Sequence, residues 1–242
     1  MTSPMISIII KGKRIPPIGV SGEIITFLNP WSYLILRNRR ELLEQFDVIA
    51  IDGIALVIAL NLIGVRAKRY SFDMTSLAKH TFAEAQSANK SVAIIGSENG
   101  CLMKAKEHIL SRYSNLDIIE SRHGYFRDEA ERNSYIKHLA NVNPNIVIVG
   151  MGAILQEEFL VSLRTAGWNG VGYTCGGFFH QTAKRLDYYP KLFDNLNLRW
   201  LYRIIDEPNL VRRYLLYAKF CSKFIIDFIE FLVHRSSAKN VS

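Results

Sequence analysis

The chain has 242 residues, 49% of them hydrophobic, with 30 Lys and Arg against 22 Asp and Glu, a net charge of +8 and a pI near 9.4. That length and apolar content suit a buried core and exclude the disordered class, and charge interrupts the apolar stretches before about 18 residues, which excludes a membrane-spanning helix. Three scattered cysteines, Cys101, Cys175 and Cys221, exclude a disulfide framework and a typical zinc site and fit a reducing cytosol.

The N-terminal apolar run has no basic region ahead of it and no small-residue cleavage site, so it does not read as a signal peptide. A strand over 24–28 follows, then a helix over 31–45 and a strand over 48–52. Next come helices over 54–63 and 75–88, a strand over 91–96, a helix over 99–112 and a strand over 116–121. A helix over 129–141, a strand over 145–150, a helix over 153–166 and a strand over 170–174 complete the pattern. Runs such as VIAID, VAIIG and IVIVG are nearly continuous apolar segments, as parallel strands covered on both faces require. The expected fold is α/β, a Rossmann-like parallel sheet with helices on both faces.

After Tyr189 and Pro190 the pattern turns helical, aromatic and basic. Residues 1–190 read as the core and 191–242 as a C-terminal appendage. Residues 198–242 hold eight Lys or Arg against four Asp or Glu, half of the net positive charge. Beyond Pro208, apolar residues recur at Leu210, Val211, Tyr214, Leu215, Phe224, Ile225, Phe228, Ile229 and Leu232, with charge on another face. Two readings fit this amphipathic helix: packing on the core, or association with a membrane surface or partner.

Ligands in such sheets sit beyond the carboxyl ends of the strands. That rule selects Asp52-Gly53, Gly96-Ser97 and residues 150–152. Asp52, at a strand end beside a glycine, is placed for general-base work or for capping the next helix. Gly150 and Gly152 open a helix, so backbone N–H groups are free to meet a phosphate there, with Gln156 and Glu157 in the first turn. Gly96 sits in a loop of the same form. Arg69 and Asp73 lie in the irregular KRYSFDM stretch, where Arg69 can face a diphosphate and stabilise a departing nucleotide. His123 falls in a turn, as a base or a packing residue. No His/Asp/Glu set has metal-ligand spacing, and no Gly-x-Ser-x-Gly elbow is present.

Four segments, FLNPWSYLILRNRRELLEQFDVIAIDGIALV, SRHGYF, PNIVIVGMGAILQEEFL and LNLRWLYRIIDEPNLVRRY, together resemble the WecG/TagA/CpsF glycosyltransferases of bacterial surface-polysaccharide synthesis. The resemblance implies an inverting, metal-independent transfer of a sugar from a UDP-sugar to a polyprenyl-diphosphate-linked saccharide. The enzyme would be cytoplasmic and peripheral on the inner face of the cytoplasmic membrane, with no nucleic-acid partner and homo-oligomerisation left open. Asp52 matches the family's catalytic Asp and would deprotonate the acceptor hydroxyl. Asn29 matches the Asn of a Thr-x-Asn pattern whose Thr position holds Phe27, with Thr26 one step before. Gly150, Gly152, Gln156 and Glu157 match the nucleotide-side loop. Arg203, Arg212 and Arg213 fall in the appendage that such enzymes use to reach the membrane and close over the site. Arg69 or Lys68 and Asp73 match an Arg-x-x-Gly-x-Asp segment in which Ser71 replaces the Gly. Phe179 and Ile154 replace an Asp and a Pro, which leaves the donor sugar open. The alternative is a non-catalytic nucleotide-sugar-binding scaffold of a polysaccharide assembly complex.

Overall fold

The computed structural model describes residues 3–12, 21–196, 198–208 and 211–239, without the side chains of Lys191, Arg213, Tyr214, Ala238 and Lys239. In chain order the elements are α1 (Met5–Gly12), β1 (Ile24–Leu28), α2 (Pro30–Leu36), α3 (Arg40–Leu43), β2 (Val48–Ile51), α4 (Ile54–Leu62) and α5 (Leu77–Ser87). There follow β3 (Val92–Gly96), α6 (Asn99–Arg112), β4 (Ile118–Arg122), α7 (Glu129–Val142), β5 (Ile146–Gly150), α8 (Leu155–Thr165) and β6 (Val171–Thr174). The chain ends in α9 (Phe178–Lys184), α10 (Lys191–Asn195), α11 (Arg199–Asp206), α12 (Val211–Tyr214) and α13 (Tyr217–Lys239).

The strands form one sheet in the order β2-β1-β6-β5-β3-β4, and every pairing is parallel. Successive strand residues point to opposite faces. Ile24, Ile49, Ile51, Ile95, Val147 and Val149 join one buried cluster, while Ile25, Val48, Ala50, Ile94, Ile146 and Ile148 join a second. Two covered faces are the reason β2, β3 and β5 read as unbroken apolar runs, whereas the edge strand β4 is only partly covered and reads IIESR; the expected α/β Rossmann-like fold is what forms.

Some elements differ from the local pattern. The predicted helix over 31–45 is two helices, α2 and α3, parted by a turn at 37–39. The turn lets Arg37 and Arg40 converge on Asp227 of α13, which is fully buried. Asp227 accepts from Tyr33 Oη at 2.6 Å and from Arg37 Nη2 at 2.6 Å. Phe220 and Phe224 pack beside the Tyr33 ring, with centroids 5.3 and 5.9 Å away. α13 therefore divides the apolar residues of the tail between two sides. Phe224 is buried and Phe228 half-buried against the core, whereas Ile225, Ile229 and Leu232 are exposed together with Ile226 and Val233. Leu210 lies outside the described residues, as does the side chain of Tyr214. The β-branched segment ISIII forms a helix, α1, because packing of Ile6 and Ile9 into the core outweighs strand propensity. The three cysteines are free thiols.

Candidate active site

β1 and β2 pair in register, Leu28 opposite Ile51, so the chain leaves the sheet at Asn29 and Asp52 side by side. The Asp52 N–H donates to Leu28 O at 2.7 Å. Gly53 then takes φ +124°, in the left-handed range that favours glycine, and a Cβ there would lie 3.1 Å from Pro30 Cδ. On the other edge of β2, Arg69 forms a parallel bridge with Ile51, and the Tyr70 N–H donates to Ile51 O at 2.8 Å. That bridge puts Arg69, and not Lys68, in the wall of the cavity beyond the strand ends.

The cavity measures about 790 Å³, within the span of about 300–1,000 Å³ usual for small-molecule sites. Asn29, Asp52, Arg69, Asp73, Gly152, Gln156 and Arg203 all line it, brought together from five separate stretches of the chain. Asn29 also caps α2, its Oδ1 accepting from the Trp31 and Ser32 N–H groups at 3.0 Å each.

Thr26 and Glu157 sit one layer behind, both fully buried. Thr174 Oγ1 donates to Thr26 Oγ1 at 3.1 Å, and Thr26 Oγ1 donates to Glu157 Oε1 at 3.0 Å. Glu157 also accepts from Gln156 Nε2 at 2.9 Å and from the Ile154 N–H at 2.8 Å, which holds Ile154 at the strained φ of +77°. Gln156 Oε1 in turn accepts from the Gly176 N–H at 3.1 Å. Burial pushes the Glu157 carboxyl up, and these donors pull against it. The network joins the middle of β1 and the end of β6 to the loop that opens α8. Both ends of the Gln156 amide are occupied by protein.

Gly96 and Gly150 do not line the cavity. A Cβ on Gly96 would fall 2.3 Å from Gly150 O, and one on Gly150 would fall 2.9 Å from Phe179 Cδ2, so these glycines serve close packing of β3, β5 and α9. Arg212 is exposed and outside the wall, and the Arg213 side chain lies outside the described residues. His123 accepts from the Tyr125 N–H at 3.3 Å in the turn after β4 and is likewise not in the wall.

Asp52 is partly buried, and among the described residues none donates a hydrogen bond to its carboxylate. Burial pushes its carboxyl up to about 6, the Asp73 charge adds to that, and Arg199, Arg69 and Arg203 oppose it. A carboxylate near 6 is mostly ionised at pH 7 yet basic enough to take a proton during bond formation.

Sequence reasoning passed over Arg199 and Asp194. Arg199 opens α11, is buried, and pairs through Nη1 with Asp73 Oδ2. Asp73 also accepts from Ser71 Oγ at 2.6 Å and from Thr75 Oγ1 at 2.7 Å. Ser71, at the position where the family pattern has Gly, therefore supplies a hydroxyl to this carboxylate. Asp194 Oδ1 accepts from Arg69 Nη2 at 2.8 Å and Arg199 Nε at 2.6 Å. The sole local signal for Arg199 is its place before Trp200 in LNLRWLYR. Its partner Asp73 lies 126 residues earlier.

The model of the glycosyl transferase WecG/TagA/CpsF family matches residues 17–231. The chain belongs to this family. It is also 32% identical over 237 residues, 97% of each chain, to a protein of Shigella boydii named as a UDP-Gal:alpha-D-GlcNAc-diphosphoundecaprenol beta-1,4-galactosyltransferase. The WecG/TagA/CpsF chain described here is accordingly a glycosyltransferase.

Proposed function

We propose that this enzyme transfers a hexose, galactose first among them, from a UDP donor to a saccharide carried on a polyprenyl diphosphate, with inversion at the anomeric carbon and without a metal ion. The observation that carries the reading is Asp52: a partly buried carboxylate at the strand ends, pushed up to about 6, in the wall of a cavity that Arg69 also lines. The Shigella relative's printed donor and acceptor support the substrate classes.

The acceptor hydroxyl oxygen attacks the sugar's C1 from the face opposite UDP. The C1–O bond to UDP breaks and its electron pair leaves with the nucleotide, while the hydroxyl proton passes to Asp52. One carboxylate base suffices for such a displacement, and general-base assistance contributes roughly 10²–10⁴-fold. Arg69 faces the diphosphate, where a permanently charged guanidinium offsets the growing negative charge. Metal independence is supported by the other carboxylates of the wall: the two oxygens of Asp73 are taken by Ser71, Thr75 and Arg199, and Glu207 is paired with Lys184, so among the described residues Asp52 has no second free carboxylate beside it.

The lipid-linked acceptor suits an apolar rim. Ile58 lines the cavity and is half exposed, Leu62 stands one turn further along α4, and α13 presents Ile225, Ile226, Ile229, Leu232 and Val233 to solvent. Among the described residues no helix is long and apolar enough to cross a membrane. These side chains support association with the inner face of the cytoplasmic membrane, the side on which nucleotide sugars are found. Incubating the protein with UDP-hexoses and a GlcNAc-diphospho-lipid in EDTA tests the reading. One UDP released per sugar transferred, with an inverted anomer by NMR, is the expected result. Absence of transfer from every UDP-hexose overturns the donor class, and transfer that stops in EDTA overturns metal independence.

A further inference from the structure

Arg199 lines the cavity but has nothing left to offer a ligand. Its Nε and Nη2 both meet Asp194 Oδ1, its Nη1 meets Ser71 Oγ at 2.8 Å and Asp73 Oδ2, and its Nη2 also meets Thr75 Oγ1. These five contacts match the five N–H groups of a guanidinium. Tyr189 covers the face of the group, with Arg199 Cζ 4.7 Å from the ring centroid. Arg69 differs: among the described residues only its Nη2 is engaged, with Asp194.

We propose that Arg199 is a positioning residue that clamps the 71–75 loop to α10 and so sets Asp73 and Arg69 around Asp52, leaving Arg69 as the one of the two guanidiniums with N–H groups for the donor's diphosphate. The part that concerns the diphosphate rests on the function proposed above; the clamp does not. The 71–75 segment has no helix or strand of its own, and α10 has five residues, too few to be stable unsupported. Phe72 and Met74 anchor the first in the core, and Arg199 is the side chain that ties it to the second. Asp194 Oδ1 is shared by both guanidiniums, so a displaced Arg199 would also loosen Arg69. Asp73 is buried, and removal of Arg199 would leave its charge uncompensated.

The clamp is distinguishable from an ordinary structural ion pair because its charge reaches Asp52. The groups facing that carboxylate are Asp73, Arg199, Arg69, Arg203 and Tyr189, with His180 and Glu207 in the same wall. In Arg199→Met, kcat should fall roughly 10²-fold, as displaced reacting groups typically cost. The acid limb of its pH profile should move to higher pH, because the foremost of the three cations that oppose Asp73 at Asp52 is then gone. In the double variant Arg199→Met/Asp73→Asn the limb should return towards the wild-type position. Arg199→Lys keeps the charge, hence the limb, but cannot meet four acceptor groups with three N–H donors, so it loses kcat alone.

Hydrogen exchange supplies a readout without turnover. Arg199→Met should raise exchange in 71–78 and 191–206 together, including Leu77 and Ala78, whose N–H groups donate to the Ser71 and Asp73 carbonyls. Wild-type exchange, kcat and acid limb in Arg199→Met overturn the clamp. Should that variant not fold, wild-type kcat and exchange in Arg199→Lys overturn it instead. A wild-type protein that transfers no sugar refutes the proposed function, while the exchange experiment still decides the clamp.

Discussion

Replacing Asp52 with Asn removes the base and also removes a charge that the fold holds at a cost. The carboxyl rises from its ordinary 3.8 to about 6, chiefly through burial. Each pH unit of such displacement is worth about 1.4 kcal/mol. At pH 8 the ionised carboxylate therefore destabilises the folded chain by at most about 3 kcal/mol, and partial exposure lowers the figure towards about 1. The sign follows from linkage. The folded state binds more protons than the unfolded state between the two values, so wild-type stability falls as pH rises through that window. Asp52→Asn should be more stable than wild type by about 1–3 kcal/mol at pH 8. By pH 5 the gain should be roughly halved, and below pH 4 it should vanish. For a chain of this size that is a rise of roughly 2–10 °C in melting temperature at pH 8. Transfer should fall roughly 10²–10⁴-fold in the same protein. Thermal melts at pH 8 and pH 5, paired with a UDP-release assay, check both halves. Near-wild-type turnover in a folded Asp52→Asn would refute the base assignment, and a pH-independent change in stability would refute the electrostatic argument.

Other substitutions probe the surrounding parts. Arg69→Ala should lower kcat/KM for the UDP donor roughly 10–100-fold, the loss of one charge-assisted phosphate contact, as read by initial rates against donor concentration. Asp227→Ala strands Arg37 and Tyr33 without their shared buried partner and should cost about 3 kcal/mol or more in urea unfolding, with α13 the first segment to lose exchange protection. Gly53→Ala places a side chain at φ +124° and should cost about 1–3 kcal/mol by the same assay, with activity lost as the Asp52 end of β2 shifts. Ile225→Asp with Ile229→Asp should weaken flotation with anionic vesicles roughly tenfold or more, yet leave transfer to a short-chain soluble acceptor intact. Unchanged flotation would remove α13 from membrane association.

Much of the framework was legible in the residues alone. β2, β3 and β5 are runs of apolar residues that end in a glycine or run into Asp-Gly, and that pattern is local: four or five residues suffice to say that both faces are covered and that the chain turns at the carboxyl edge. Asp52 was readable for that reason, and Arg69 and Asp73 were readable as a charged pair in a stretch with no helical period. Tertiary structure alone decided what those charges do. Strand pairing put Asn29 beside Asp52, and the bridge to Ile51 chose Arg69 over Lys68. Topology carried Arg199 across 126 residues to Asp73 and turned Glu157 and Gln156 into a buried brace. It also broke the 31–45 helix so that Arg37 could reach Asp227, and left α13 apolar on both a packed and an open side. Apolar periodicity depends on neighbours a few residues away, so a sequence displays it directly. The partner of a buried charge is whichever group the finished fold delivers within about 3 Å, and no spacing along the chain encodes that choice.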